Sequence, residues 1–279
     1  MVKVKSYAKL NLTLDITGVE GGFHMLDSLV CTVDIFDIIK LKKRKDKLVN
    51  IEMHGRGLEL LPYEQNNAVK AAESFINCFG TDGADMVIYK NIPVGAGLGG
   101  SSADISGVLT GMARLYGVGS DAELKRLADG LGSDTGYMLS GGFARLTGRG
   151  ERVEKLSLKR KLYAVLLIPE KGVCTAECYK LYDAMPTSQC CTEAAVEALK
   201  SGDLQGLGSL LSNSLLRAAA TLNPEILTAY AALESFSPLG VTMTGSGSCV
   251  FALFESPEFC AYFKSRYRGK CECLQVKTV

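Results

Sequence analysis

The sequence predicts an α+β protein with two domains. Three observations lead to this fold class: the chain has 279 residues, strand-like alternation and helix-like periodicity occur in both halves, and a charged stretch at residues 155–161 separates the halves. A chain of this length buries a sizeable core without disulfides or metals. We therefore expect an N-terminal domain over residues 1–155 and a C-terminal domain over residues 156–279.

The first half combines both kinds of element. Alternating or continuous apolar residues predict strands, and apolar residues at helical spacing predict helices. Gly117 and Gly119 separate the last two helices of this half. The predicted strands cover residues 2–4, 10–14, 29–41 and 86–89, and the predicted helices cover residues 67–79, 105–116 and 124–131.

The second half follows the same rules. Its last helix begins at Ser256, where a capping residue is followed by Pro257 and then by an acid in the first turn. No internal repeat interrupts the pattern. The predicted strands cover residues 162–168, 250–254 and 271–276, and the predicted helices cover residues 176–182, 192–200, 204–218, 224–236 and 257–267.

Composition and charge exclude several classes of protein. Thirty-one Lys and Arg residues against thirty Asp and Glu residues give a net charge of +1, so no overall field attracts nucleic acid or an anionic membrane. The apolar runs are much shorter than the ~20 residues that a bilayer requires, and the first residues do not resemble a signal peptide. We expect a cytoplasmic monomer or homodimer that binds small molecules, and neither nucleic acid nor a membrane.

The ten cysteines do not predict a metal site. Their spacing gives no paired C-x-x-C motifs, and the chain has two histidines to complete a site, so structural zinc has little support. Without a secretory signal, cysteines are usually reduced and buried as small hydrophobic residues. We expect that state here.

The strongest local signal is the sequence Pro-Val-Gly-Ala-Gly-Leu-Gly-Gly-Ser-Ser at residues 93–102, called here the first glycine segment. It lies between a predicted strand and a predicted helix, where exposed backbone N–H groups and the helix dipole suit a phosphate group. A Walker A lysine is absent from the segment, which excludes an ordinary P-loop nucleotide triphosphatase. The alternative is a flexible turn in which Ser101 caps the helix and Asp104 completes a capping box.

Three further features carry less weight alone. The second glycine segment, Thr-Gly-Ser-Gly-Ser at residues 244–248, is typical of a hairpin turn. Asp134 follows a predicted helix, where aspartate is usually a cap or turn residue. Lys9 and Asn11 lie on the polar side of an early strand, and a lysine there is ordinarily a solvated surface residue.

Together these segments resemble the kinase family named for galactokinase, homoserine kinase, mevalonate kinase and phosphomevalonate kinase. The proline, the glycines and the G-L-G-x-S-S-A motif of that family match residues 93–103, and its C-terminal glycine motif matches residues 244–248. The resemblance is greatest to members that phosphorylate a diphosphocytidyl alcohol in non-mevalonate isoprenoid biosynthesis, and it extends over nearly the whole chain. The matching segments are Ala8–Leu12, Gly22–Leu26, Asn66–Ala71, Leu131–Asp134, Gly148–Glu151 and Gly240–Gly247.

The resemblance implies a fold and a reaction. The N-terminal domain is expected to resemble ribosomal protein S5 domain 2, and the C-terminal domain to be ferredoxin-like. The family transfers the γ-phosphoryl group of ATP to a substrate hydroxyl with Mg²⁺, so Asp134 is the expected catalytic aspartate, Lys9 its cationic partner, and Ser101 or Ser102 a candidate ligand of the metal. The residues implied for ATP are Asn66, Pro93, Gly95, Ala96, Gly97, Leu98, Gly99, Gly100, Ser101 and Ser102. Those implied for the substrate are Asn11, Phe23, His24, Gly245, Ser246 and Gly247.

Two departures from the family pattern leave the substrate open. The family's V-P-F after the catalytic aspartate is Thr-Gly-Tyr at residues 135–137, which we expect to loosen the backbone there. The family's D-G-Y-H is Gly-Gly-Phe-His at residues 21–24, which removes an acid and a phenol hydroxyl. The alternatives are a kinase for another small alcohol and a catalytically silent nucleotide-binding paralogue, although a silent relative has no chemical need for both Lys9 and Asp134.

Overall fold

The computed structural model describes residues 1–55, 57–58, 66–158, 160–187 and 190–279. The chain divides into two compact units. Unit 1 contains residues 1–8, 35–94 and 99–141, and unit 2 contains residues 9–34, 95–98 and 142–279. The expected domain boundary at residue 155 stays a prediction, and residue 159 of the charged stretch lies outside the described residues.

Unit 1 contains β-strands covered by helices. Residues 38–43 of β3 pair antiparallel with β5, and β5 pairs parallel with β4. Strand β1 begins in unit 1 and ends in unit 2, whereas β3 begins in unit 2 and ends in unit 1. The strands are β1 (Val2–Asn11), β3 (Phe23–Lys43), β4 (Val49–Gly55) and β5 (Ala84–Lys90), and the helices are α1 (Asn67–Phe79), α2 (Gly100–Tyr116), α3 (Asp121–Leu131) and α4 (Thr135–Ser140).

Helix α2 packs closely on the strands of unit 1 because glycines lie on its inner face. A Cβ atom placed on Gly107 would lie 2.0 Å from Ser6 Oγ, and one placed on Gly111 would lie 2.3 Å from Leu41 Cδ1. Larger residues would push the helix outward. This contact fixes the position of the helix whose first turn follows the first glycine segment.

Unit 2 contains two groups of strands. β2 and β6 pair antiparallel with the first part of β3, and β7 pairs with β6. A separate antiparallel sheet has the order β10-β11-β8-β12. The strands are β2 (Thr13–Glu20), β6 (Phe143–Gly148), β7 (Arg152–Leu156), β8 (Tyr163–Ile168), β9 (Ser212–Asn213), β10 (Gly240–Met243), β11 (Val250–Phe254) and β12 (Glu272–Lys277). The helices are α5 (Thr175–Ala184), α6 (Thr192–Ser201), α7 (Leu204–Ser209), α8 (Leu216–Leu222), α9 (Glu225–Glu234) and α10 (Pro257–Arg266).

The mixture of helices with mixed and antiparallel sheets confirms the predicted α+β fold class. Each unit has its own apolar core, with Ile39, Phe75 and Met112 in unit 1 and Val165 and Phe263 in unit 2. Within the described residues, no helix is both long and apolar enough to span a bilayer.

The predicted helix over residues 204–218 is wrong. The chain leaves the helix after Ser209, and Ser212–Asn213 pair parallel with Thr13–Leu14 of β2. Asn213 then accepts a hydrogen bond from the backbone nitrogen of Leu215 (2.8 Å), which starts the next turn. Apolar spacing continues through this break, so periodicity alone does not reveal it.

Candidate active site

Alternate glycines shape the first glycine segment. Gly95, Gly97 and Gly99 have φ angles of 69°, 75° and 75°, in the left-handed region that side chains disfavour. α2 begins at Gly100 with Gly99 as its N-cap and no side-chain cap. The expectation that Ser101 caps this helix is therefore wrong, and the uncapped helix start retains the features that suit a phosphate group.

Ser101 and Asn66 have other partners in unit 1. Asn67 Nδ2 donates a hydrogen bond to Ser101 Oγ (2.7 Å), which joins the starts of α1 and α2. Asn66 is the N-cap of α1, and its Oδ1 accepts from the backbone nitrogen of Ala68 (2.9 Å). The contact of Asn66 with adenine stays a prediction.

Asp134 lies at the start of α4, close in unit 1 to the first turn of α2. The hydroxyl of Ser106 lies 2.9 Å from the backbone oxygens of both Ser102 and Thr135, so it holds the two helix starts together. Asp134 is the N-cap residue of α4, yet its side chain makes no capping hydrogen bond. Capping therefore does not account for an aspartate at this position.

The residues after Asp134 do not loosen the backbone, contrary to the expectation. Thr135, Gly136 and Tyr137 form the first turn of α4 and are buried. A Cβ atom placed on Gly136 would lie 2.2 Å from Asp129 Oδ1. A larger residue at position 136 would have to displace the carboxylate of Asp129 on α3.

Lys9 and Asn11 are buried in unit 2, each with 4% relative exposure. The interpretation of Lys9 as a solvated surface lysine is therefore wrong. Its ammonium group donates a hydrogen bond to Asn11 Oδ1, and its backbone nitrogen donates to the oxygen of Leu98 (3.0 Å). Lys9 thus lies beside the first glycine segment, with its side chain oriented by an amide.

The two glycine segments meet in unit 2. A Cβ atom placed on Gly97 would lie 2.1 Å from the backbone oxygen of Thr244, and one on Gly245 would lie 2.8 Å from the oxygen of Gly97. Thr244 Oγ1 also lies within hydrogen-bond distance of the Gly97 oxygen (3.3 Å). The second glycine segment is a hairpin loop between β10 and β11, as its sequence indicates, and it also packs against the first segment.

Asn213 and Thr175 hold the second glycine segment in place, and neither was identified from the sequence. Asn213 Nδ2 donates to the backbone oxygens of Met243 (2.7 Å) and Gly245 (2.9 Å). The hydroxyl of Thr175 lies 2.8 Å from that of Ser246. The surrounding sequence, Ser-Asn-Ser at residues 212–214, gives no sign of these distant partners.

Phe23 and His24 are adjacent in β3 and have different partners in unit 2. His24 Nε2 lies 2.6 Å from Asp183 Oδ1, and its ring centroid lies 4.7 Å from that of Tyr179. The guanidinium group of Arg149 lies 4.9 Å from the centroid of Phe23, whose side chain is 55% exposed. Successive side chains of a strand point to opposite faces of its sheet, so the exposed ring and the oriented imidazole are two separate features of β3.

The glycines before Phe23 have a structural explanation. Gly21 and Gly22 have φ angles of 56° and 81°, and they form the two-residue turn between β2 and β3. A turn with positive φ at both central residues strongly favours glycine. The turn explains a glycine at residue 21, but it would also accept the aspartate of the family pattern, because Asp-Gly is favoured in the same turn.

The ten cysteines are free thiols. Four are buried, and burial raises the pKa of the Cys178 thiol to about 11. Cys78, Cys174 and Cys190 are exposed, and the other three are partly buried. Among the described residues, no group of three or more His, Cys, Asp or Glu side chains is arranged to hold a metal.

Comparisons with known proteins identify the family that the chain resembles. The family model described as GHMP kinases N terminal domain matches residues 66–144, and that described as GHMP kinases C terminal matches residues 195–260. A 4-diphosphocytidyl-2-C-methyl-D-erythritol kinase of Clostridium beijerinckii is 34% identical over 260 residues, with 91% of each chain covered. The corresponding kinase of Pelotomaculum thermopropionicum is 35% identical over 273 residues, with 96% of this chain and 94% of the relative covered.

Solved structures show the same likeness. A crystal structure of 4-(cytidine 5'-diphospho)-2C-methyl-D-erythritol kinase superposes with a TM-score of 0.82 at 28% identity, with 99% of this chain and 98% of that chain covered. A homoserine kinase from Cytophaga hutchinsonii superposes with a TM-score of 0.74 at 20% identity, with 100% and 94% covered. The second similarity concerns the fold alone.

Proposed function

Because the chain belongs to the GHMP kinases, which are ATP-dependent, we propose that it transfers the γ-phosphoryl group of ATP to the 2-hydroxyl of 4-diphosphocytidyl-2-C-methyl-D-erythritol. The observation that carries this proposal is the 34–35% identity to kinases named for this substrate over more than nine-tenths of the chain. The reaction belongs to isoprenoid biosynthesis, as the names of the relatives imply.

We assign Asp134 as the base and Lys9 as its cationic partner. In phosphoryl transfer, a carboxylate accepts the proton of the attacking hydroxyl as the new P–O bond forms. A nearby ammonium group lowers the cost of the negative charge that develops on the oxygen. One observation supports these roles: Lys9 is buried with its ammonium group oriented by Asn11.

We assign the first glycine segment to the ATP phosphates. Charge in a loose transition state is spread over the equatorial oxygens of the transferred group, so preset N–H donors stabilise it without reorganisation. The left-handed glycines and the uncapped start of α2 support this assignment. Asn66 is proposed to lie near adenine.

We assign Phe23 and His24 to the cytosine ring. If His24 donates from Nε2 to the Asp183 carboxylate, the neutral imidazole has Nδ1 as an acceptor. That acceptor suits the exocyclic amino group of cytosine. The exposed face of Phe23 offers a surface on which the pyrimidine stacks, and Asn11 and the second glycine segment, with Gly245, Ser246 and Gly247, complete the proposed substrate contacts.

The residues present fit a magnesium ion that arrives with the nucleotide. Mg²⁺ usually keeps several waters and takes few protein ligands besides substrate phosphates. Ser101 or Ser102 would supply a hydroxyl oxygen, and the ion would offset the charge of the β- and γ-phosphates when bound.

The test is ADP release by the purified chain with Mg-ATP and a panel of acceptors. The panel contains 4-diphosphocytidyl-2-C-methyl-D-erythritol, homoserine, mevalonate and galactose. We expect turnover with the diphosphocytidyl alcohol alone, and phosphorus NMR should place the new phosphate on its 2-hydroxyl. Turnover with another acceptor instead would identify a related kinase, and no turnover with any of them would contradict the proposal.

A further inference from the structure

A buried ion cluster in unit 1 lies outside the assigned site. The ammonium group of Lys90, at the end of β5, donates to Asp37 Oδ2 and to Asp104 Oδ2, the second bond measuring 2.5 Å. The side chains of Lys90, Asp37 and Asp104 are 3%, 0% and 8% exposed. Two carboxylates therefore share one cation in the core of the unit.

The cluster contacts both ends of the first glycine segment. Asp37 Oδ1 accepts hydrogen bonds from the backbone nitrogens of Asn91 (2.6 Å) and Ile92 (2.9 Å), the two residues before the segment. Asp104 lies in α2 immediately after the segment. Lys90 joins these two carboxylates, so the strand that enters the segment and the helix that leaves it share a single anchor.

The cation lies directly beneath the start of α2. A Cβ atom placed on Gly100 would lie 3.6 Å from Lys90 Nζ. A lysine beside a helix N-terminus faces the positive end of the helix dipole, and the two carboxylates offset that cost. Charged groups in this position determine where the helix start can lie.

Stability alone is a weak explanation for this cluster. Replacing a buried ion pair by apolar residues of similar volume is often neutral or stabilising. Asp104 is also incompletely satisfied, because its Oδ1 has no hydrogen-bond partner among the described residues. What the three side chains provide is a fixed geometry between two backbone segments.

We propose that Lys90, Asp37 and Asp104 form a positioning clamp that holds the first glycine segment in the arrangement that binds the ATP phosphates. This inference rests on the proposed assignment of that segment to ATP. The three side chains do not touch the nucleotide in this proposal. They act by setting the distance and direction between residue 92 and the first turn of α2.

The test measures nucleotide affinity separately from stability. Binding of the non-hydrolysable ATP analogue adenylyl imidodiphosphate with Mg²⁺ is measured by calorimetry on the whole chain, together with the melting temperature. Asp104→Ala removes the helix side of the clamp and leaves Lys90 paired with Asp37. We expect its Kd for the analogue to rise about tenfold or more, since small misplacements of binding groups cost one to two orders of magnitude.

Two other variants separate positioning from structure. Asp104→Asn keeps a side chain of the same shape that can accept a hydrogen bond from Lys90, and we expect its Kd to stay within about threefold of the wild type. Arg44→Met is the matched control, because it removes the partly exposed ion pair with Asp85 (2.6 Å) elsewhere in unit 1. We expect no change in its Kd.

The outcomes are distinct. A folded Asp104→Ala variant with wild-type affinity would overturn the clamp. If that variant does not fold, the triple variant Lys90→Met/Asp37→Asn/Asp104→Leu removes all three buried charges and keeps a side-chain oxygen at residue 37 for the backbone nitrogens of Asn91 and Ile92. Wild-type affinity in it would equally overturn the clamp. The binding measurement contains no alcohol substrate, so its result stays valid if the proposed substrate is wrong. A wild-type chain that does not bind the ATP analogue would reject both the ATP assignment and the clamp.

Discussion

The side-chain oxygen of Asn11 lies 3.0 Å from the backbone nitrogen of Gly245 and also accepts a hydrogen bond from the ammonium group of Lys9. One amide thereby orients the proposed catalytic lysine and fixes the second glycine segment, more than two hundred residues further along the chain. The backbone nitrogen of Asn11 donates to Thr244 Oγ1 (3.0 Å), so the attachment is made from both sides.

Asn11→Ala should reduce kcat more than it reduces stability. The substitution removes the acceptor that orients Lys9, and misplacing a catalytic group typically costs about a hundredfold in rate. Steady-state kinetics and thermal melting check this. Ser28→Ala is the control, because it removes the partner of Asn11 Nδ2 (2.8 Å) and keeps the acceptor. An equal loss of kcat in both variants would contradict the orienting role.

Gly97→Ala should weaken ATP binding and lower the melting temperature. The new Cβ atom would lie 2.1 Å from the Thr244 oxygen, so the two glycine segments would have to separate. Gly80→Ala is a matched control, because Gly80 also has a left-handed backbone (φ 67°) but no atom within 4 Å of the Cβ position. Both variants carry the backbone strain of about 1 kcal/mol.

The difference in Kd and melting temperature between Gly97→Ala and Gly80→Ala therefore reports the effect of the contact between the two glycine segments. We expect Gly80→Ala to keep the Kd for the ATP analogue and Gly97→Ala to raise it about tenfold. If Gly97→Ala binds the analogue as tightly as Gly80→Ala, the contact does not shape the phosphate site.

Asp134→Asn should reduce turnover by orders of magnitude and leave ATP affinity nearly intact. The amide keeps the shape of the side chain but does not accept the proton of the hydroxyl. Single-turnover kinetics and analogue binding give the two quantities. Asp121→Asn, at the exposed start of α3, is expected to behave like the wild type. Equal activity of Asp134→Asn and the wild type would remove Asp134 from the mechanism.

Most of the fold is predictable from apolar periodicity because its strands and helices bury one face. The helix over residues 67–79 and the strand over residues 250–254 have the predicted bounds. Strand β6 was not predicted, because only three of its six residues are apolar and it follows a glycine-rich stretch. Strands β4 and β7 were not predicted either, because exposed and partly buried residues alternate along much of their length without a strong apolar pattern. Periodicity reports burial, so it fails where a strand is mostly solvated.

The candidate site is predictable where chemistry imposes unusual residues. Glycines 95, 97 and 99 were identified because a left-handed backbone requires them. Asn213 and Lys90 were not identified from the sequence, because their roles depend on hydrogen-bond partners that are distant along the chain. A buried polar side chain has no local signature, and its importance becomes visible when its hydrogen bonds are known.

Asp183→Asn should raise the KM for the diphosphocytidyl alcohol and leave the KM for ATP unchanged. The carboxylate of Asp183 orients His24 through a contact of 2.6 Å, and an amide no longer favours one imidazole tautomer. Because Asp183 is more than half exposed, we expect a change of about threefold to tenfold. Glu177→Gln, an exposed acid on the same helix, is the control, and an equal effect there would show a general charge effect.

The buried cluster also predicts how stability depends on pH. Burial raises the pKa of Asp104 from 3.8 to about 7, the nearby Asp37 carboxylate adding to the shift and Lys90 opposing it. The folded chain therefore holds a proton that the unfolded chain has released between about pH 4 and pH 7. This contribution to the free energy of unfolding is fully present below pH 4 and is lost as the pH rises through 7.

Asp104→Asn removes the titrating carboxyl group. The free energy of unfolding of this variant minus that of the wild type should therefore increase from pH 5 to pH 7 and level off near pH 8. Urea denaturation at four pH values measures the difference. Asp85→Asn is the control, because the hydrogen bond from Arg44 lowers the pKa of Asp85. The stabilising effect of the Asp85 carboxylate is lost only as the pH falls through that lowered pKa. The difference in free energy of unfolding between Asp85→Asn and the wild type should therefore stay constant from pH 5 to pH 8. If the difference in free energy of unfolding between Asp104→Asn and the wild type is also constant, Asp104 is ionised throughout this pH range. The carboxylates of Asp104 and Asp37 would then both be charged beside the ammonium group of Lys90.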